Sequence, residues 1–176
     1  MPMQLIFQVQ LVLGYVACGL VFGTYMLPRL RQMDAFAAQR VIATIHSFRF
    51  FGLVFLVPGV VGPSLPAGFA GVAAYGDFAA GVLAILALLT ARMRPAFWLF
   101  VGAFHLVGIA DLLVDYYHAV QLGLPLLAGQ LGAMYVIPIV YVPMLMITHV
   151  AGIYWLLRPH ARSISAPGDN AVAHQV

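Results

Sequence analysis

Phe104-His105-Leu106-Val107-Gly108-Ile109-Ala110-Asp111-Leu112-Leu113-Val114-Asp115-Tyr116-Tyr117-His118 sets two carboxylates and two imidazoles inside an apolar run long enough to cross a bilayer. A helical period puts Asp111, Asp115 and His118 on one face, at i, i+4 and i+7. His105 points roughly 120° from Asp111 and roughly 80° from Asp115, with Gly108 between them. A charge at the bilayer centre costs at least ~2.5 kcal/mol on insertion scales, so these groups must face protein, water or a ligand. The stretch reads as the polar inner face of a membrane helix.

Composition agrees with that reading. Of 176 residues, 64% are hydrophobic and 7% charged, and the mean hydropathy is +1.01. That is too little charge to cover a soluble domain. The apolar runs are continuous rather than alternating, which favours helices over a membrane barrel. The expected fold class is an all-α integral membrane protein, a bundle of five transmembrane helices. The formal charge of +3 comes from the flanks of the spans, so no nucleic-acid partner is expected. Every basic residue is Arg and none is Lys, a bias of GC-rich bacterial genomes that points to a bacterial inner membrane. Cys18 stands alone in an apolar run, which excludes a disulfide framework and a Cys-based metal site. Met-Pro-Met-Gln-Leu-Ile-Phe at the start lacks a basic region and a cleavage site, so the first run is expected to stay as an anchor.

The chain divides into a single transmembrane domain over 1–157 and a polar, disordered cytoplasmic tail over 158–176. The spans fall at about 5–27, 41–57, 69–91, 96–120 and 133–157. Gly14/Cys18 and Gly19/Gly23 allow close packing of span one, and Pro28 is expected to end it. Pro58, Pro63 and Pro66 forbid a regular helix between spans two and three, and that uncharged loop is expected to lie in the interface or dip into the protein. Pro138 and Pro143 break span five. Arg29, Arg31 and Arg40 follow span one, Arg92 and Arg94 follow span three, and Arg158 and Arg162 follow span five. By the positive-inside rule the N-terminus is outside and the C-terminus cytoplasmic.

The polar groups then form two layers. Counted from the arginines, His46 and Arg49 lie roughly 9 and 14 Å deep, His105 about 16 Å beyond Arg94 and His149 about 14 Å before Arg158. His46, Arg49, His105 and His149 make a candidate cofactor site. Two imidazoles at one depth are what a b-type haem needs, with His105 paired to His149, or His46 to either, and Arg49 on a propionate. Alternatively His46, His105 and His149 hold copper or zinc. No HxxxH, HExxH, CxxC or CxxCH occurs. The outer layer, Asp77, Asp111, Asp115 and His118, suits a proton relay.

The leading expectation is cofactor binding linked to membrane electron transfer, with a quinone or another hydrophobic or redox small molecule as partner. A small-molecule or proton-coupled transporter is the alternative, in which the broken span five offers carbonyls. A third reading is an accessory subunit of a larger membrane complex, or a homo-oligomer held by small-residue stripes. No nucleophile–base pair stands out, so enzyme status stays open. Structural readings stand beside each group. An intramembrane His serves as a cross-helix hydrogen-bond partner about as often as a ligand, Arg49 can snorkel along its own stem, and Asp115 and His118 sit near a span end where solvation suffices.

Overall fold

The computed structural model describes residues 1–157, which contain helices and turns and no strand. The expected tail from 158 on, with Arg158 and Arg162, lies outside the described residues. In chain order the long elements begin with α1 (Met3–Arg31) and α2 (Ala35–His46), which a 3₁₀ helix continues over Ser47–Leu56. They end with α3 (Ala67–Leu89), α4 (Arg94–Gln121) and α5 (Ile137–Leu157). Four of them, α1, α3, α4 and α5, are long and apolar enough to cross a membrane. The expected second span is the segment that mixes two helix types, and it begins at Ala35 rather than near Val41. Short 3₁₀ turns at Leu124–Leu126 and Ala128–Tyr135 join α4 to α5.

Two prolines expected to break helices are absorbed by π turns. α1 continues past Pro28 to Arg31 because a π turn over Phe22–Met26 precedes it, with the Leu27 N–H donating to the Phe22 carbonyl. The same device over Ile137–Tyr141 precedes Pro143, where the Val142 N–H donates to the Ile137 carbonyl. The extra residue lets the chain pass a position that has no N–H to give. Pro143 leaves the carbonyl of Ile139, four residues back, without its helical donor. That carbonyl lies against Gly14 of α1, so closely that a Cβ there would strike it. Cys18 Sγ, one turn on, donates to the Val140 carbonyl at 3.6 Å. The Gly14/Cys18 spacing of span one therefore does what small residues allow, a backbone-close contact.

α2 starts at a side-chain cap: Asp34 Oδ1 accepts from the Ala37 N–H at 2.7 Å, satisfying one of the orphan donors of the first turn. At Ser47 the helix tightens to 3₁₀, whose period of three stacks i and i+3 on one face. Arg49, Gly52 and Phe55 are the buried residues of that stretch, three apart.

The core has an apolar floor and ceiling. Phe7, Phe55, Phe69, Leu124 and Leu131 belong to the cluster at the loop end, while Ile42, Ala84, Phe97, Val101 and Phe104 belong to the one at the arginine end. The proline-rich loop folds onto the α4–α5 connection, where the Gly62 N–H donates to the Gln130 carbonyl at 2.7 Å and the Ser64 N–H to Gln130 Oε1 at 3.2 Å. Gly132 turns there with φ 55°. At the other end, Arg94 and Arg40 stand 3.5 and 5.6 Å from the Phe36 ring centroid. The start of α2 and the start of α4 therefore share one end of the bundle. Leu99, Leu106, Leu113 and Val120, seven residues apart on α4, are 69%, 74%, 56% and 75% exposed. α1 is peripheral, with 6% of its most apolar window buried against 39% in each of the other three.

Candidate functional site

Between the two apolar clusters lies Arg49, wholly buried. Its Nε donates to Asp77 Oδ1 at 2.7 Å and its Nη2 to Asp111 Oδ2 at 2.5 Å. Its Nη1 donates to the Gly108 carbonyl at 3.3 Å and to His149 Nε2 at 3.1 Å. A guanidinium has donors and no acceptor, so His149 Nε2 must be bare. Neutral His149 then carries its proton on Nδ1 and donates it to His105 Nδ1, 3.0 Å away. His105 in turn carries its proton on Nε2 and donates to Gln39 Oε1 at 3.0 Å. Gln39 Nε2 ends the series by donating to the Gly152 carbonyl at 2.6 Å. One fixed donor thus sets the tautomer of two rings and the direction of the whole series.

His46 stands beside it, its ring centroid 4.0 Å from that of His149. Thr148 Oγ1 donates to the Met144 carbonyl at 2.8 Å and so accepts from His46 Nε2 at 3.0 Å. His46 Nδ1 is left buried without a partner.

Glycines on neighbouring segments seat these side chains. A Cβ on Gly52 would lie 2.5 Å from Asp77 Oδ2, and one on Gly76 would strike the Asp111 carboxylate. A Cβ on Gly108 would lie 2.5 Å from His149 Nε2 and 2.6 Å from Arg49 Nη1, and one on Gly152 would lie 2.5 Å from His105 Nε2. Gly81 passes the backbone of Arg49, its Cβ position 2.8 Å from the Phe50 nitrogen. Asp77, Asp111, Arg49, His105 and His149 thus occupy room that only a missing side chain provides.

The three expected imidazoles are therefore neighbours, and Arg49 joins them. Arg49 is wholly buried and does not snorkel. It is the link between the two expected layers, because Asp77 and Asp111 are its partners. Asp115 and His118 are not hydrogen-bonded into the network: Asp115 Oδ1 and His118 Nδ1 are buried without partners. Two site residues, Gln39 and Thr148, are absent from the reading of the sequence. Gln39, His46 and Arg49 recur at i, i+7 and i+10, near one helical face, but Arg40, Thr44 and Ser47 make an equally regular polar stripe at i, i+4 and i+7 on the outer side.

A cavity of about 320 Å³ adjoins the network on the loop side. Phe7, Phe55, Phe69 and Tyr116 are among its apolar walls, and Asp77 and Asp115 supply its carboxylates. Tyr116 is held by a hydroxyl–hydroxyl hydrogen bond to Tyr15 of α1.

Two nitrogens on opposite faces of one iron stand about 4 Å apart, given metal–nitrogen bonds near ~2 Å. His105 and His149 instead meet at 3.0 Å and share a proton, with the backbones of Gly108 and Gly152 packed on the rings. As packed, this pair does not frame a haem plane. Among the described residues no group of three His, Cys, Asp or Glu is arranged to hold a metal ion.

One family model, described as a domain of unknown function (DUF8737), matches residues 6–157. No curated protein and no solved structure matches the chain.

Proposed function

The chain belongs to the DUF8737 family, and from the site it carries we propose a proton-coupled membrane protein that binds a small hydrophobic molecule. Proton binding would occur at Arg49–Asp77–Asp111, and the molecule would occupy the adjoining cavity. The observation that carries this reading is the charge count around Arg49. Two carboxylates accept from one guanidinium, all three are buried, and the excess negative charge in a low-dielectric interior calls for a proton or a cation. The site opens on one side to a cavity and continues on the other into an oriented histidine series. That combination suits coupling between a ligand and a proton better than it suits a scaffold.

The membrane frame belongs to the same proposal: five spans in a bacterial inner membrane, N-terminus outside, C-terminus in the cytoplasm. α2 and its 3₁₀ continuation rise about 38 Å at ~1.5 and ~2.0 Å per residue, enough for a hydrocarbon core of ~30 Å. Arg40, Arg92 and Arg94 line one pocket, and Leu30, between Arg29 and Arg31, packs with Ala38 of α2, which supports one arginine-bearing side of the bundle. A reporter fused at Ser64 should then read external and one fused after Leu157 cytoplasmic. The reverse pair would invert the topology.

Infrared difference spectra of the purified protein across the physiological pH range test the proton site. A carboxyl band should appear on acidification and be altered by Asp111→Asn or Asp77→Asn. Spectra that Asp77→Asn and Asp111→Asn leave unchanged would remove the proposal. A second reading, cofactor binding with electron transfer, keeps one supporting observation, the bare and buried Nδ1 of His46, a ligand-type atom. A Soret band, or stoichiometric copper or zinc in the detergent-purified protein, would bring that reading forward.

A further inference from the structure

We propose that the cavity beside the network is a binding site for a hydrophobic organic monocation, an aromatic or aliphatic ammonium. The inference rests on the proton-coupled reading and names its ligand class. Three observations converge on it. The cavity, about 320 Å³, falls in the range of small-molecule sites. Its walls come from α1, the 3₁₀ stretch, α3, α4 and α5, so it runs between helices, and it opens outward past Gln4, Gln8 and Val120. Its charged groups, Asp77 and Asp115, are both acidic, beside the neutral Gln4, Gln8 and Tyr116. Asp77 and Asp111 already face Arg49, and Asp115 adds a carboxylate whose Oδ1 is buried without any hydrogen-bond donor. His118, one turn on, has an unpartnered Nδ1 and no bond to Asp115.

An unpaired carboxylate among aromatic rings is costly in the absence of a positive partner. Quaternary ammonium groups are held by aromatic rings, whose faces carry the negative side of the quadrupole, and Phe7, Phe55, Phe69 and Tyr116 line the cavity. A cation at the floor would lie against Asp115 and Asp77, with its apolar body along α1 and the first turns of α5. An anion would meet the same carboxylates and be repelled. A neutral molecule would require the Asp115 carboxyl to take up a proton in place of the cation.

Equilibrium dialysis of the purified protein in uncharged detergent against radiolabelled benzyltrimethylammonium tests the proposal. Saturable binding near one per chain is expected, and Asp115→Asn should weaken it by roughly ten-fold or more, the scale of losing a buried charged partner. Asp115→Glu should retain it. Leu11→Trp, on the opposite wall, should abolish it by filling the cavity. The uncharged isostere neopentylbenzene should not displace the cation. Unchanged affinity in Asp115→Asn, or equal displacement by neopentylbenzene, would overturn the proposal. So would a tightly held lipid in the cavity that the cation cannot replace. Binding without proton release would sink the proton-coupled reading and leave this one standing. Proton uptake at Asp77 or Asp111 with no cation bound would do the opposite.

Discussion

Replacing Arg49 by Met removes one cation from a wholly buried position and keeps most of the side-chain volume. Asp77 and Asp111 each lose a charge-assisted hydrogen bond, at 2.7 and 2.5 Å, while the Gly108 carbonyl and His149 Nε2 lose a donor. Breaking a buried pair from one side costs ~3–5 kcal/mol, and each neutral acceptor left dry adds ~1–3 kcal/mol. Uptake of protons by the freed carboxylates returns part of this, because a neutral acid is far cheaper to bury than an ion. A net loss of about 4 kcal/mol follows, which at ~2–4 °C per kcal/mol for a chain of this size lowers Tm by about 8–16 °C. Thermal unfolding followed by the fluorescence of Trp98 and Trp155 reads it directly. The triple variant Arg49→Met, Asp77→Asn, Asp111→Asn keeps the packing and deletes the charge, so it should recover more than half of the loss. These positions share partners and their effects are not additive. A single variant that melts within about 2 °C of the parent, below the shift for 1 kcal/mol, would refute the clamp. A triple variant as unstable as the single would show that volume, not charge, sets the cost.

Three further outcomes are expected. Gly152→Ala puts a Cβ 2.5 Å from His105 Nε2; the ring must move and release Gln39 and His149, costing about 2–4 kcal/mol, whereas Gly19→Ala, with nothing within 4 Å, should match the parent or exceed it slightly. Equal melting of the two alanine variants would contradict the seating. Asp34→Ala deletes the cap of α2 and should cost about 1 kcal/mol, read as a shift of about 2–4 °C; no shift means the cap is idle. Nitroxides at Leu106 and Leu113 in reconstituted protein should collide with dissolved oxygen and not with an aqueous nickel chelate, and the converse would take this face of α4 out of the bilayer.

The helical class is legible in the long apolar runs, and so is the polar face of α4, because the cost of a charge in hydrocarbon is visible in sequence. The partnering of the layers is not. Depth counted along separate helices places Arg49 with the histidines, yet its long stem turns its guanidinium onto Asp77 and Asp111. Depth gives the height of a Cα and not the reach of a side chain. Pro28 reads as a stop because the rule is local, and the π turn that absorbs it leaves no obvious mark in Phe22–Met26. The change to 3₁₀ at Ser47 likewise alters which residues face inward, so a 3.6-residue period carried through Arg49 to Phe55 drifts off the true face. Gln39 recurs with His46 and Arg49, but Arg40, Thr44 and Ser47 recur as regularly on the outer side, so the pattern alone does not single it out. Nor does it single out the receiving glycines, since a glycine in a membrane helix announces room but not what fills it.

Those glycines also decide which walls of the bundle can part. Asp77 of α3 is keyed into the 3₁₀ stretch at Gly52, Asp111 of α4 into α3 at Gly76, His105 of α4 into α5 at Gly152, and His149 of α5 into α4 at Gly108. Drawing apart the two members of any such pair pulls a polar side chain out of its socket. α1 is held differently, by the Ile139 carbonyl at Gly14, the Cys18 thiol and the phenol pair Tyr15–Tyr116. It also forms the wall of the cavity that carries Gln4, Phe7, Gln8 and Leu11. None of these ties is ionic, so the interlocked segments carry the charged contacts and α1 is a wall joined to them by neutral ones.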